Sequence, residues 1–170
     1  RVAQLTAWIN IDSFEQTVIL EAMYELRASV VEPVVLATPN GIFLEYVESL
    51  HGSEGRNIHI KAGTRRLLIQ TGTGWLFLSR IAREEAKQLY QRTIEAGELT
   101  QTEFSEAEFF AKLDQHEHMD VSFVRAKDLL RPTAHWAASM VSMVIPTPHG
   151  QRHLALGVHG PTDRIENKRD

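Results

Sequence analysis

Hydrophobic and polar positions alternate along this chain with two different periods. Val2, Leu5, Trp8 and Ile9 recur at helical spacing. Ser13 and Gln16 have the form of a capping box for a second helix, whose inner face is Ile19, Met23 and Leu26. Pro33 resets the chain. PVVLAT and IFLEYVESL then flank PNG, where Asn40 and Gly41 are residue types that tolerate the positive φ of a tight hairpin. Ile42, Leu44 and Tyr46 alternate with Phe43, Glu45 and Val47, which predicts one well-buried strand face, one mixed face, and helices covering one side of the sheet.

Downstream, HGSEGR (His51 to Arg56) is a polar glycine loop, NIHIK a short strand, and AGTRR a loop leading into Leu67, Leu68 and Ile69. REEAKQLYQRTIEAG predicts a helix closed by Gly97. Ser105 with Glu108 predicts the cap of another, with Phe109, Phe110 and Leu113 inside. DVSFVRA, WAASMVSMVI and RHLALGVHG are strand-like, the last two joined through the turn-forming PTPHGQ. Helices, hairpin, helices, hairpin is the order of an α+β domain with a mostly antiparallel sheet.

One stretch departs from both periods. In QTGTGWLFLS two glycines and two threonines precede Trp75, Leu76, Phe77 and Leu78. A glycine-rich turn into a helix start brings unpaired backbone N–H groups together and attracts anions. The same glycines equally serve close packing of a short helix on the sheet. The stretch lacks the lysine of a phosphate-binding loop and the third glycine of a dinucleotide fingerprint, so nucleotide binding is not expected.

Composition narrows the function classes. A chain of 170 residues, 43% hydrophobic and without a compositional break, is expected to form a single domain over residues 1–170. Eighteen basic against 22 acidic residues give a net charge of -4, with no basic cluster to grip DNA or an anionic membrane. The absence of cysteine excludes disulfides, thiol catalysis and cysteine zinc sites, and fits a reducing, cytoplasmic home. The apolar runs are shorter than the roughly 20 residues of a membrane span. The chain opens on Arg1, which points to a piece of something larger.

KAGTRRLLIQTGTGWLFLSRIAREEAKQLY, with the later WAASMVSMVIPTPHGQRHLALGVHGPTDRI, resembles the effector-binding domain of the IclR family of bacterial transcriptional regulators, and the likeness covers nearly the whole chain. In that family a G-x-R-x-P-L segment precedes a small-residue turn and a short helix. An A-x-P strand is followed by a D-x-x-G turn and a strand ending in S-x-S-G-P. Here GTRRLL, TGTG, SMVIP, TPHG and GVHGP stand at those places in the same order. The resemblance implies a GAF-like fold, a curved antiparallel sheet flanked by helices, with a pocket for a small organic acid effector. It also implies assembly as a homodimer or homotetramer, no cofactor, and DNA binding only through an amino-terminal winged helix-turn-helix domain that this chain lacks.

Carried over residue by residue, the resemblance puts the ligand carboxylate on the amides of Gly72 and Thr73, with the hydroxyl of Thr71 or Thr73 as a further donor. Trp75, Phe77 and Leu78 anchor the helix, or are simply core. On the facing strands the family has a cysteine or small residue and then two serines two apart, where this chain has Met140, Gly157 and His159. Met140 makes that wall apolar and adaptable, and His159 replaces a neutral hydroxyl by a ring that titrates near pH ~6.5 in model peptides. His159 either pairs with an anionic ligand or bonds a neighbouring strand or water. Eight histidines raise a metal reading, with His116 and His118 two apart and His153 and His159 on one strand face, but no third ligand at a useful spacing. No serine-nucleophile arrangement is present, so an enzyme is not expected. A ligand-free assembly module remains the alternative.

Overall fold

The structure is a computed structural model that describes residues 13–52, 60–129, 137–146 and 153–167. The helical pattern at Val2 to Ile9, most of HGSEGR, Asn57 to His59 of NIHIK and nearly all of PTPHGQ lie outside them. Ile60 and Lys61, the rest of NIHIK, are not in a strand.

Helix α1 (Ser13–Val30) buries Met23 completely, and Ile19 and Leu26 pack beside it, so the face read from the 3.6-residue period is the inner one. It ends where Val31 takes φ +67°, a left-handed conformation that strains a β-branched residue. The Val31 amide donates to the Arg27 carbonyl at 2.9 Å, and the chain turns into Glu32. Glu32 is 2% exposed and lies 2.8 Å from Nε of Arg164, a paired charge beneath the sheet.

Strands β1 (Val34–Asn40) and β2 (Phe43–Leu50) form the expected hairpin, with Asn40 opposite Phe43 and Gly41 at φ +60°. β3 (Arg65–Leu67) pairs with β2. A 3-10 turn at Leu68–Gln70 leads to the short helix α2 (Gly72–Leu78). Helices α3 (Arg83–Glu95) and α4 (Glu106–His116) follow. Gly97 at φ +71° lies just beyond α3, and Ser105 and Glu108 form the expected capping box of α4. β4 (Val121–Arg125), β5 (Ala138–Ile145), β6 (Leu154–Pro161) and α5 (Thr162–Glu166) complete the order. The sheet runs β3-β2-β1-β6-β5-β4, every pair antiparallel, and curls into a half-barrel. The α+β, GAF-like class expected from the sequence is the observed one.

Coverage of the sheet differs from expectation. Val34 and Leu36 face Met23 of α1 and Leu154, while Val35 and Ala37 face the opposite cluster with Leu44, Tyr46, Ile69, Trp75 and Phe109. Helices therefore cover both sides of the sheet centre, not one. The reason is in β1: VVLA is a continuous apolar run, and a strand without polar alternation is buried on both faces. Tyr90 of α3 lies against Phe109 of α4, ring centroids 5.3 Å apart, and its hydroxyl donates to the Phe104 carbonyl at 2.6 Å. Of these two helices it is α4 that packs on α2, which itself sits on β4 and β5.

Candidate functional site

Thr71 has extended backbone and caps α2: its hydroxyl oxygen accepts from the Gly74 amide at 3.0 Å. The Trp75 amide donates to the Thr71 carbonyl at 2.9 Å, and the Trp75 indole N–H donates to the Ile69 carbonyl at 2.8 Å, so the turn is tied to the helix on both sides. Every residue of α2 is buried.

The two glycines answer to packing. A Cβ on Gly74 would stand 1.8 Å from the Leu68 carbonyl oxygen, and one on Gly72 would stand 2.4 Å from Cγ2 of Val124 and 2.5 Å from Oγ of Ser122. At Gly74 the obstacle is backbone and no side chain fits, while at Gly72 the side chains of Val124 and Ser122 would have to move. For Gly74, whose amide is taken by Thr71, the packing role is the whole account. Gly72 combines it with a position on a cavity wall.

That cavity, about 370 Å³ in volume, lies between the start of α2 and the strands β2, β3, β5 and β6. Of the residues carried over by resemblance, Thr71, Gly72, Met140 and His159 line it. Met140 and His159 are directly opposite each other on β5 and β6. Thr73 and Gly157 stand behind the wall. Thr73 is 3% exposed and its hydroxyl donates to Oγ of Ser142 at 2.9 Å, with Sδ of Met140 at 3.9 Å. A Cβ on Gly157 would lie 3.1 Å from Cγ2 of Val35, a tight approach, and 3.6 Å from Sδ of Met140, an ordinary van der Waals distance. His159 is 3% exposed, and its backbone amide donates to the Pro33 carbonyl at 3.2 Å.

Other lining residues were not singled out from the sequence. Tyr46 is buried, its hydroxyl 3.9 Å from Sδ of Met140, and burial pushes its pKa up to about 12 while the Arg66 guanidinium pulls it partly back. Tyr46 is a phenol donor at pH 7. Arg66 on β3 and Glu98, just after α3, also face the cavity. Strand alternation with Leu44 marks Tyr46 as inward-facing. No local signal marks Glu98, which reaches the site only because α3 ends over it.

The histidines separate by environment. His116 is 6% exposed, with Nδ1 2.7 Å from the Lys112 carbonyl and Nε2 3.2 Å from Oγ of Ser122, and its ring packs on Trp75. Burial lowers its pKa, the Lys112 carbonyl opposes that shift, and the Lys112 charge adds to it. It is a packed core histidine. Among the described residues no three histidine or carboxylate side chains gather at metal-binding distance.

The architecture matches known effector domains. Over 91% of this chain and 87% of the other, the structure superposes on the effector domain of a transcriptional regulator IclR from Acinetobacter sp. ADP1, with a TM-score of 0.74 at 20% sequence identity. The fold is that of an IclR-type effector domain. The Thermotoga maritima IclR matches with a TM-score of 0.68 at 13% identity over 89% of this chain, and Pseudomonas aeruginosa HmgR with 0.68 at 18% over 95%. This chain spans 61% and 60% of those two proteins. No family model and no curated protein matches the sequence. The structural neighbours of this IclR-type fold are transcriptional regulators, not enzymes, and among the described residues no helix is long and apolar enough to cross a membrane.

Proposed function

We propose that this chain is the ligand-sensing and oligomerisation domain of an IclR-type transcriptional regulator. It binds a small organic acid that modulates DNA binding by a separate winged helix-turn-helix domain, and it acts in the cytoplasm as a homodimer or homotetramer. The observation that carries the reading is the cavity of about 370 Å³ bounded by Thr71, Gly72, Met140 and His159, within the few-hundred-Å³ range of small-molecule sites. In this account Thr71 and Gly72 face the acid, Met140 and His159 form the opposite wall, and Thr73 and Gly157 support it from behind.

A second reading is a ligand-free assembly module. It draws on the Thr73 hydroxyl being engaged by Ser142 and on the adaptable, apolar Met140 standing in the cavity wall. A thermal-shift screen with small carboxylic acids, amino acids among them, separates the two. An acid at 100 times its Kd adds about 2.7 kcal/mol of stability. If no acid in the panel raises Tm, the sensor reading is lost and the assembly module stands.

A further inference from the structure

Two opposite charges face the cavity without meeting. Arg66 and Glu98 both line it and both are half-buried, yet no ion pair joins them within 4.0 Å. Neither side chain has an ion-pair or hydrogen-bond partner elsewhere among the described residues. The other ion pairs of the fold show what these side chains do when a partner is in reach: Arg83 lies 2.7 Å from Asp114, Lys87 3.0 Å from Glu106, and Arg164 2.8 Å from Glu32. Arg65, beside Arg66 on β3, also lines the cavity, but it is exposed to solvent and its guanidinium lies 4.0 Å above the Phe43 ring.

A half-buried charge facing an apolar hollow loses part of its hydration, and a molecule carrying both complementary charges compensates two such groups of opposite sign at once. The rest of the wall accepts an apolar body: Leu67, Val124, Leu129 and Met140 line the same space, with the uncharged Tyr46 phenol among them.

We infer that the ligand of this cavity is a zwitterion, a small amino acid with an apolar body, whose carboxylate pairs with Arg66 and whose ammonium pairs with Glu98. The inference rests on the sensor reading and narrows it. An acid without an amino group satisfies Arg66 and leaves Glu98 bare. An amine without a carboxylate does the reverse. A dicarboxylate brings a second negative charge to Glu98 and is rejected. The guanidinium fork of Arg66 suits a carboxylate, and the carboxylate of Glu98 accepts from an ammonium in any orientation.

The test compares matched probes on the 170-residue chain by calorimetry and thermal shift. L-phenylalanine, L-leucine and 6-aminohexanoate carry both charges, the last at a wider separation. 3-Phenylpropanoate lacks the ammonium, phenethylamine lacks the carboxylate, and succinate is the dicarboxylate. At least one zwitterion is expected to bind about tenfold more tightly than 3-phenylpropanoate and phenethylamine, because each of those two lacks one charged hydrogen bond that the zwitterion makes. Glu98→Gln should abolish the preference for the zwitterion over 3-phenylpropanoate, and Arg66→Gln its preference over phenethylamine. The inference is overturned if 3-phenylpropanoate or succinate binds as tightly as every zwitterion, or if both variants leave the ratios unchanged, and in those cases the sensor reading survives. Binding of none of the probes, with no shift across the acid panel, removes both. Circular dichroism of the two variants reports whether the fold is kept, and the probe ratios are independent of the amount folded.

Discussion

Two polar inclusions interrupt the apolar centre of this domain, one on each side of α2, and they are built differently. Behind the helix, the Thr73 hydroxyl bonds Ser142, and His116 bonds both Ser122 and the Lys112 carbonyl. Each of these groups is buried and has its partner inside the protein. In front of the helix, Arg66 and Glu98 face a cavity and have no partner among the described residues. Buried polar groups that satisfy each other help specify a fold, whereas half-buried charges beside a hollow stay open to whatever fills it. The contrast separates side chains paired inside the protein from side chains open to the cavity, and the Thr73 hydroxyl is among the former.

The largest effect that sharpens this contrast is expected at Ser142. Ser142→Ala removes the acceptor of the buried Thr73 hydroxyl and is expected to cost about 1–3 kcal/mol in urea denaturation. Adding Thr73→Val should recover part of the loss, because a hydroxyl with no partner is removed with it. A Ser142→Ala protein as stable as the parent would mean that the inclusion behind α2 is not closed.

A smaller effect is expected from His116. Burial holds its folded pKa below the unfolded value near 6.5, so below that pH the unfolded chain binds more protons than the folded one. The stability contributed by neutral His116 is complete above the unfolded pKa and is lost as pH falls from about 6.5 toward the folded pKa. The slope has a ceiling of about 1.4 kcal/mol per pH unit for one proton. His116→Gln should flatten the dependence between pH 6.5 and 5, measured by denaturation at each pH. An unchanged slope would place the responsible proton elsewhere.

The smallest effect is expected in front of the helix. Arg66→Gln makes and breaks no internal pair, so stability in the absence of ligand should change by no more than about 0.5 kcal/mol. A loss of about 2 kcal/mol or more would show that Arg66 holds the fold and would erase the difference between the two regions.

Local physics made much of the architecture legible from the chain. The capping box at Ser105 and Glu108, the left-handed Gly41 and Gly97, and the apolar runs of β1, β5 and β6 each rest on residues close in sequence, where turn chemistry and side-chain period decide conformation. Coverage of both sheet faces was written in VVLA and needed only that run to be read as continuous. The candidate site was legible in part. TGTG marks the turn, and alternation puts Gly157 and His159 on one face, with only His159 reaching the cavity.

The order of the elements, their caps and turns, and the identity of the permissive glycines were thus set by the sequence itself, because each depends on interactions spanning a few residues. Tertiary structure alone decided which hydroxyl was consumed and which charge was left over. Thr73 meets Ser142 across 69 positions, and Arg66 and Glu98 arrive at one cavity from a strand and a helix end that no local pattern relates. A hydrogen bond or a missing ion pair is a matter of a few tenths of a nanometre between distant segments, and only the packed chain fixes distances of that kind.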